Sequence, residues 1–165
     1  KILLEKFFPS KEQGKPSFNL DWLISRLQDG NRNVTPRDLI QTFQSAKKHE
    51  VKNVESQKID NDNLINLKSF HDAIREVSKT KYDVLHAEYP KLKHFTNRLK
   101  NNGTKVRFPL EELKELWGGI SKKETLTIAR NLLKLGFFKN EGDDENPIPV
   151  IPTIYRPCLG IQTSI

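Results

Sequence analysis

The stretch VRFPLEELKELWGGISKKETLTIARNLLKLGFFK, residues Val106–Lys139, decides how this chain folds. Val106-Arg107-Phe108 is a three-residue extended piece, and Pro109 suits the opening of a helix, where the missing N–H costs nothing. Leu110, Leu113, Leu116 and Trp117 recur at helical spacing and are expected to face inward. Gly118-Gly119 stops this helix. Ser121 starts the next, with Glu124 three residues on to complete a capping box. Leu126, Ala129, Leu132 and Leu133 supply its apolar face, and Gly136 ends it. Phe137-Phe138-Lys139 then reads as a strand.

Outward from this stretch, Lys91–Lys100 forms a helix with Leu92, Phe95 and Leu99 facing in, ended by Asn101-Asn102-Gly103. On the other side, Asn140–Pro147 reads as a loop and Ile148–Tyr155 as a returning strand. Helix, short strand, helix, helix, hairpin is the order of a winged helix-turn-helix domain, with the tight link at Gly118-Gly119 as its turn. Pro90 marks the boundary, so a winged-helix domain is expected over residues 90–165.

Residues 1–89 read as helical. Lys1–Pro9 is a short apolar segment with Ile2, Leu3, Phe7 and Phe8, followed by a polar loop over Ser10–Ser17. Asn19 or Asp21 caps a helix running to Gln28, with Leu20, Leu23, Ile24 and Leu27 on one face and Gly30 ending it. Thr35, Pro36 and Asp38 are three agreeing helix-start signals. That helix carries Leu39, Ile40, Phe43 and Ala46 inward, and Lys47, Lys48 and His49 suit the negative pole near its end. Glu50–Asn63 is polar and reads as a loop. Asn66 to about Glu88 is a long helix with Leu67, Phe70, Ile74, Val77, Tyr82 and Leu85 at helical spacing. The fold class expected is therefore mainly α: a helical domain over residues 1–89, then the winged helix with its small β hairpin.

The 165 residues are 35% hydrophobic, enough for a modest core. No run approaches the roughly 20 apolar residues of a membrane helix, and no secretory signal opens the chain. A single cysteine, Cys158, excludes an internal disulfide and multi-cysteine metal sites, which points to a reducing cytoplasm. The chain has no methionine and begins at Lys1, and so reads as a piece of something larger.

The net charge of +7 suits polyanionic partners. About five of the excess positive charges lie from Pro90 onward. The helix opened by Ser121 would be the recognition helix, with Lys123, Thr127, Arg130, Asn131 and Lys134 turned outward as the DNA- or partner-binding set. The wing, Glu141-Gly142-Asp143-Asp144-Glu145, carries four carboxylates and no base. A wing lying along DNA brings Lys or Arg to neutralise phosphates, so the charge favours docking to protein over DNA.

Other chemistry finds no support. His49, His71, His86 and His94 have no metal-ligand spacing, and Asp60, Asp62 and Asn63 lack the glycine and distal glutamate of a calcium loop. Cys158 has no base beside it. No phosphate-binding or nucleophile-elbow motif occurs, so no catalytic centre lies within these residues.

The run Asp29-Gly30-Asn31-Arg32-Asn33-Val34-Thr35-Pro36-Arg37-Asp38-Leu39-Ile40 resembles the helical lid of AAA+ and STAND-type P-loop ATPases. Phe7-Phe8-Pro9, Trp22-Leu23, Ala87-Glu88-Tyr89-Pro90-Lys91-Leu92, Gly136-Phe137-Phe138 and Pro152-Thr153-Ile154-Tyr155-Arg156-Pro157-Cys158-Leu159-Gly160 extend the resemblance to a bacterial group with such a lid followed by a winged helix. It implies that Arg37 senses nucleotide phosphates from the start of a lid helix. It also implies that ATP and Mg belong to a parent protein whose Walker A and Walker B elements precede Lys1. The upstream ATPase core is then one partner of the chain, and DNA or another protein a second. The alternative is a free-standing winged-helix transcriptional regulator, with the first helices as a dimerisation arm.

Overall fold

The computed structural model describes Phe8 and residues 19–56, 64–100 and 103–161. The chain is mainly helical, with one small antiparallel two-stranded sheet. It divides into two compact units: residues 1–27 with 34–77, and residues 28–33 with 78–165.

The first unit opens with α1 (Leu20–Leu27). Asn19 caps it, its side chain accepting the N–H of Trp22 at 2.9 Å, and Leu23 and Leu27 are buried. Helix α2 (Pro36–Ser56) starts on a reciprocal cap. Thr35 Oγ1 accepts the N–H of Asp38 at 3.1 Å while the Asp38 carboxylate accepts the N–H of Thr35 at 3.0 Å, so two donors at the helix end are satisfied together.

Two expectations about α2 are corrected. Its inward face is Asp38, Thr42, Ala46 and Glu50, so Ile40 lies on the opposite side, in solvent, and Leu39 is only half-buried. Small or internally satisfied side chains let this face pack closely; the Thr42 hydroxyl, for example, donates to the Asp38 carbonyl at 2.7 Å. The expected loop from Glu50 does not begin there, because the helix continues to Ser56. Glu50 is buried, and its carboxylate accepts from the Asn66 N–H at 2.8 Å and from Asn66 Nδ2 at 2.9 Å. Asn66 in turn caps α3 (Leu67–Glu88), accepting the N–H of Ser69 at 2.9 Å. A charged residue that reads as loop is thus the anchor between two helices, stabilised by charge-assisted hydrogen bonds.

Helix α3 spans the length the periodicity predicts, with Phe70, Ile74, Val77, Tyr82 and Leu85 buried. Phe70 stacks on Phe8 (ring centroids 5.5 Å apart) and meets Phe43 edge-on at 5.7 Å, an apolar centre for the first unit. Ser45 and His49 of α2 both bond the Glu76 carboxylate, the histidine at 3.0 Å. The hydrogen bond from Ser45 is the larger cause that holds the Glu76 carboxyl below its usual range. The expected segment over residues 1–9, Phe8 apart, and the stretch 57–63 lie outside the described residues.

In the second unit, residues 91–100 are not one continuous helix. A 3₁₀ turn (Pro90–Leu92) leads into the short α4 (Lys93–Asn97) and further turns. The division between the units falls within α3 rather than at Pro90, because Ser78–Glu88 hydrogen-bonds to residues further along the chain. Tyr82 donates to Asn97 Oδ1 at 2.9 Å, His86 Nε2 lies 2.7 Å from Thr96 Oγ1, and Ser78 Oγ accepts the N–H of Cys158 at 3.2 Å.

Next come α5 (Leu110–Leu116) and α6 (Lys122–Lys134). Gly118 and Gly119 have φ of 94° and 71°, a pair of left-handed residues that only glycine takes readily. Ser121 Oγ accepts the Glu124 N–H at 3.2 Å as the cap of α6. The buried face of α6 is Thr125, Ile128, Ala129 and Leu132, with Leu126 and Leu133 half-buried at its margins.

The sheet pairs β1 (Lys139–Asn140) with β2 (Pro149–Val150), Lys139 opposite Val150. On the other side of Val150, Arg107 forms an isolated antiparallel bridge, and Ile151 N–H donates to Val106 O at 2.8 Å. The strands are shorter than expected. Phe137 and Phe138 are buried in the turn after α6, both N–H groups directed at the Leu132 carbonyl. The returning strand ends at Val150 and is followed by 3₁₀ turns at Thr153–Tyr155 and Pro157–Leu159, since Pro152 and Pro157 have no N–H to extend a ladder.

Candidate functional site

Arg37 lies in the first turn of α2, exposed, one residue after Pro36. The neighbouring Asp38 is buried, and its carboxylate is taken up by the cap on Thr35. No hydrogen bond or ion pair engages the Arg37 side chain among the described residues. Its side chain is therefore exposed in the first turn of a helix, where the guanidinium charge and the positive end of the helix dipole act on an anion in the same sense.

The second unit carries the other candidate residues. Lys123, Thr127, Arg130, Asn131 and Lys134 are all exposed on α6. They are not equally available. Thr127 Oγ1 donates back to the Lys123 carbonyl at 2.8 Å. Arg130 Nη2 donates to the Asp144 carbonyl at 2.7 Å, tying the helix to the loop between the strands. At the C-terminal end of α6, Asn31 Nδ2 donates to the Lys134 carbonyl at 3.0 Å.

That last bond involves the loop between α1 and α2. Asp29 Oδ1 accepts the N–H groups of Asn31 and Asn33, both at 2.9 Å, and Arg32 takes a left-handed φ of 62°. Gly30 N–H donates to Gly136 O at 2.7 Å. The loop thus binds the end of α6 through a side-chain amide and a backbone bond. The signal was present in the composition Asp-Gly-Asn-Arg-Asn, which suits a built turn rather than a flexible link. A groove of about 480 Å³ runs between α6 and the strand loop, with Asn31, Arg130, Lys134 and Asp144 on its walls.

The acidic loop is partly neutralised at its base. Glu141 pairs with Lys139 at 3.1 Å and with Arg107 at 3.3 Å. Asp143 Oδ1 accepts the N–H of Glu145 at 2.9 Å and shapes the turn. Asp144 and Glu145 remain exposed.

Burial pushes the Cys158 thiol up to about 11, which leaves it protonated and poorly nucleophilic at neutral pH. Burial, together with Lys93 and Lys100, lowers His86; burial, with Arg75 and Arg26, lowers His71. Among the described residues, no three His, Cys, Asp or Glu side chains gather as a metal site, and no helix is long and apolar enough to cross a membrane. Asp60, Asp62 and Asn63 lie outside the described residues. No protein-family profile, curated protein or solved structure matches this chain.

Proposed function

We propose that this chain is the regulatory end of a cytoplasmic P-loop ATPase, joining a lid-like helical unit that senses nucleotide through Arg37 to a winged helix that docks on protein. The observation that carries the reading is the reciprocal Thr35–Asp38 cap. It occupies the one adjacent carboxylate and leaves the guanidinium exposed at a helix N-terminus. Planar guanidinium suits a phosphate there better than a point charge would. In the parent protein, Arg37→Ala is expected to lower ATP turnover by roughly 10²-fold, the scale of losing one transition-state charge contact, while the melting temperature stays unchanged. Unaltered turnover, or a parent reading frame without a Walker A motif, sinks this reading.

The winged-helix reading rests on the order α4, bridge at Arg107, α5, α6 and hairpin, with a glycine-built turn between α5 and α6. Use of this helix on DNA, as in a free-standing regulator, is supported by exposed Lys123 and Asn131. It is opposed by the bond from Arg130 to the Asp144 carbonyl and by the carboxylates that Asp144 and Glu145 would set against phosphate. Fluorescence anisotropy with random duplex DNA at about 50 mM salt is therefore expected to show no saturable binding in the micromolar range. Micromolar binding that falls steeply with added salt would transfer the assignment to the regulator.

A further inference from the structure

Helix α2 turns apolar side chains toward solvent along its outer face. Ile40 is 56% exposed, Val51 47% and Val54 49%. At about 100° per residue, these three fall with the exposed Gln44 and Lys47 in one strip opposite the buried Asp38, Thr42 and Ala46, with Glu50 at its margin. The strip is about 21 Å long. Isolated surface valines need no explanation, but a row at helical spacing on a 21-residue helix is the pattern of a helix-docking face.

Charge restricts what can cover it. Lys47 sits midway between Ile40 and Val54 and is exposed, with no carboxylate partner among the described residues. Lys48 and Lys52 flank the row on one side, against the single acid Glu55. A second copy of this chain is a poor occupant. Pairing two α2 helices in register, parallel or antiparallel, sets Lys47 against the Lys47 of the other copy in the middle of the contact, and like charges there oppose association.

We propose that this strip binds an acidic amphipathic helix of another protein, with apolar side chains covering Ile40, Val51 and Val54 and a carboxylate opposite Lys47. The site does not depend on the role given to Arg37. Its specificity lies in the lysine, since the apolar contacts alone would accept any hydrophobic helix.

The test uses the intact chain and two labelled synthetic helical peptides, each with leucines at heptad spacing, one flanked by Glu and the other by Lys. The Glu peptide should bind, and Lys47→Glu should weaken it by about tenfold or more while gaining affinity for the Lys peptide. Ile40→Ser combined with Val54→Ser should also abolish binding, with helix content and melting temperature retained. Four results would overturn the proposal. They are no preference of the wild type for the Glu peptide, no effect of Lys47→Glu, a reversible dimer in sedimentation that the double serine variant dissolves, or attachment to phosphatidylcholine–phosphatidylserine vesicles in place of the peptide.

Discussion

Gly30→Ala is expected to destabilise the second unit by more than about 3 kcal/mol, a large part of the ~5–15 kcal/mol that holds a domain folded. A Cβ at this position would lie 1.9 Å from the Phe138 carbonyl oxygen and 2.3 Å from its carbon. Both are backbone atoms and cannot swing aside as a side chain can. The loop must lift away, losing the bond from Gly30 N–H to Gly136 O and the grip of Asn31 on the Lys134 carbonyl. Thermal unfolding should show a fall of about 10 °C or more. Gly103→Ala is the control. Nothing lies within 4 Å of its Cβ, but its φ of 64° makes alanine cost about 1 kcal/mol. Equal melting of Gly30→Ala and the wild type would mean that the loop does not pack on the turn after α6.

The second large effect is expected at Phe137. Its ring is fully buried, 4.9 Å from Tyr155, 5.1 Å from Phe138 and 6.4 Å from Tyr82, and so it joins α3, the turn after α6 and the first 3₁₀ turn beyond β2. Phe137→Ala removes this ring and leaves a cavity that the surrounding aromatic side chains cannot fill by small shifts. The expected loss is about 3–5 kcal/mol, and Phe137→Leu should cost much less because it keeps most of the volume. Denaturant titration in a Trp22→Phe background reads the second unit through the buried Trp117 alone. A midpoint unmoved by Phe137→Ala would show that this ring is not part of the core.

The candidate residues differ in how far they could be read in advance. That Lys123, Thr127, Arg130, Asn131 and Lys134 face outward follows from the period of α6, since the helix buries the opposite side. That Arg130 bonds the Asp144 carbonyl does not follow from any local pattern; it depends on how the strand loop returns over the helix. The Asp29–Asn33 loop shows the same limit. Its turn chemistry is local, but its attachment to Lys134 spans more than a hundred residues of chain.

The sequence by itself determined where α2 and α6 begin and where α5 and α6 end. Thr35 with Asp38, Ser121 with Glu124, and the glycines after α5 and α6 act through hydrogen bonds no more than five residues apart, so their effect survives whatever packs around them. Tertiary structure decided which faces were covered. Ile40 is apolar yet exposed, and Glu50 is charged yet buried, because the neighbours of α2 meet the face of Asp38, Thr42 and Ala46, and Asn66 supplies the donors that Glu50 needs. Burial is a property of two surfaces meeting, and a helical period specifies only one of them.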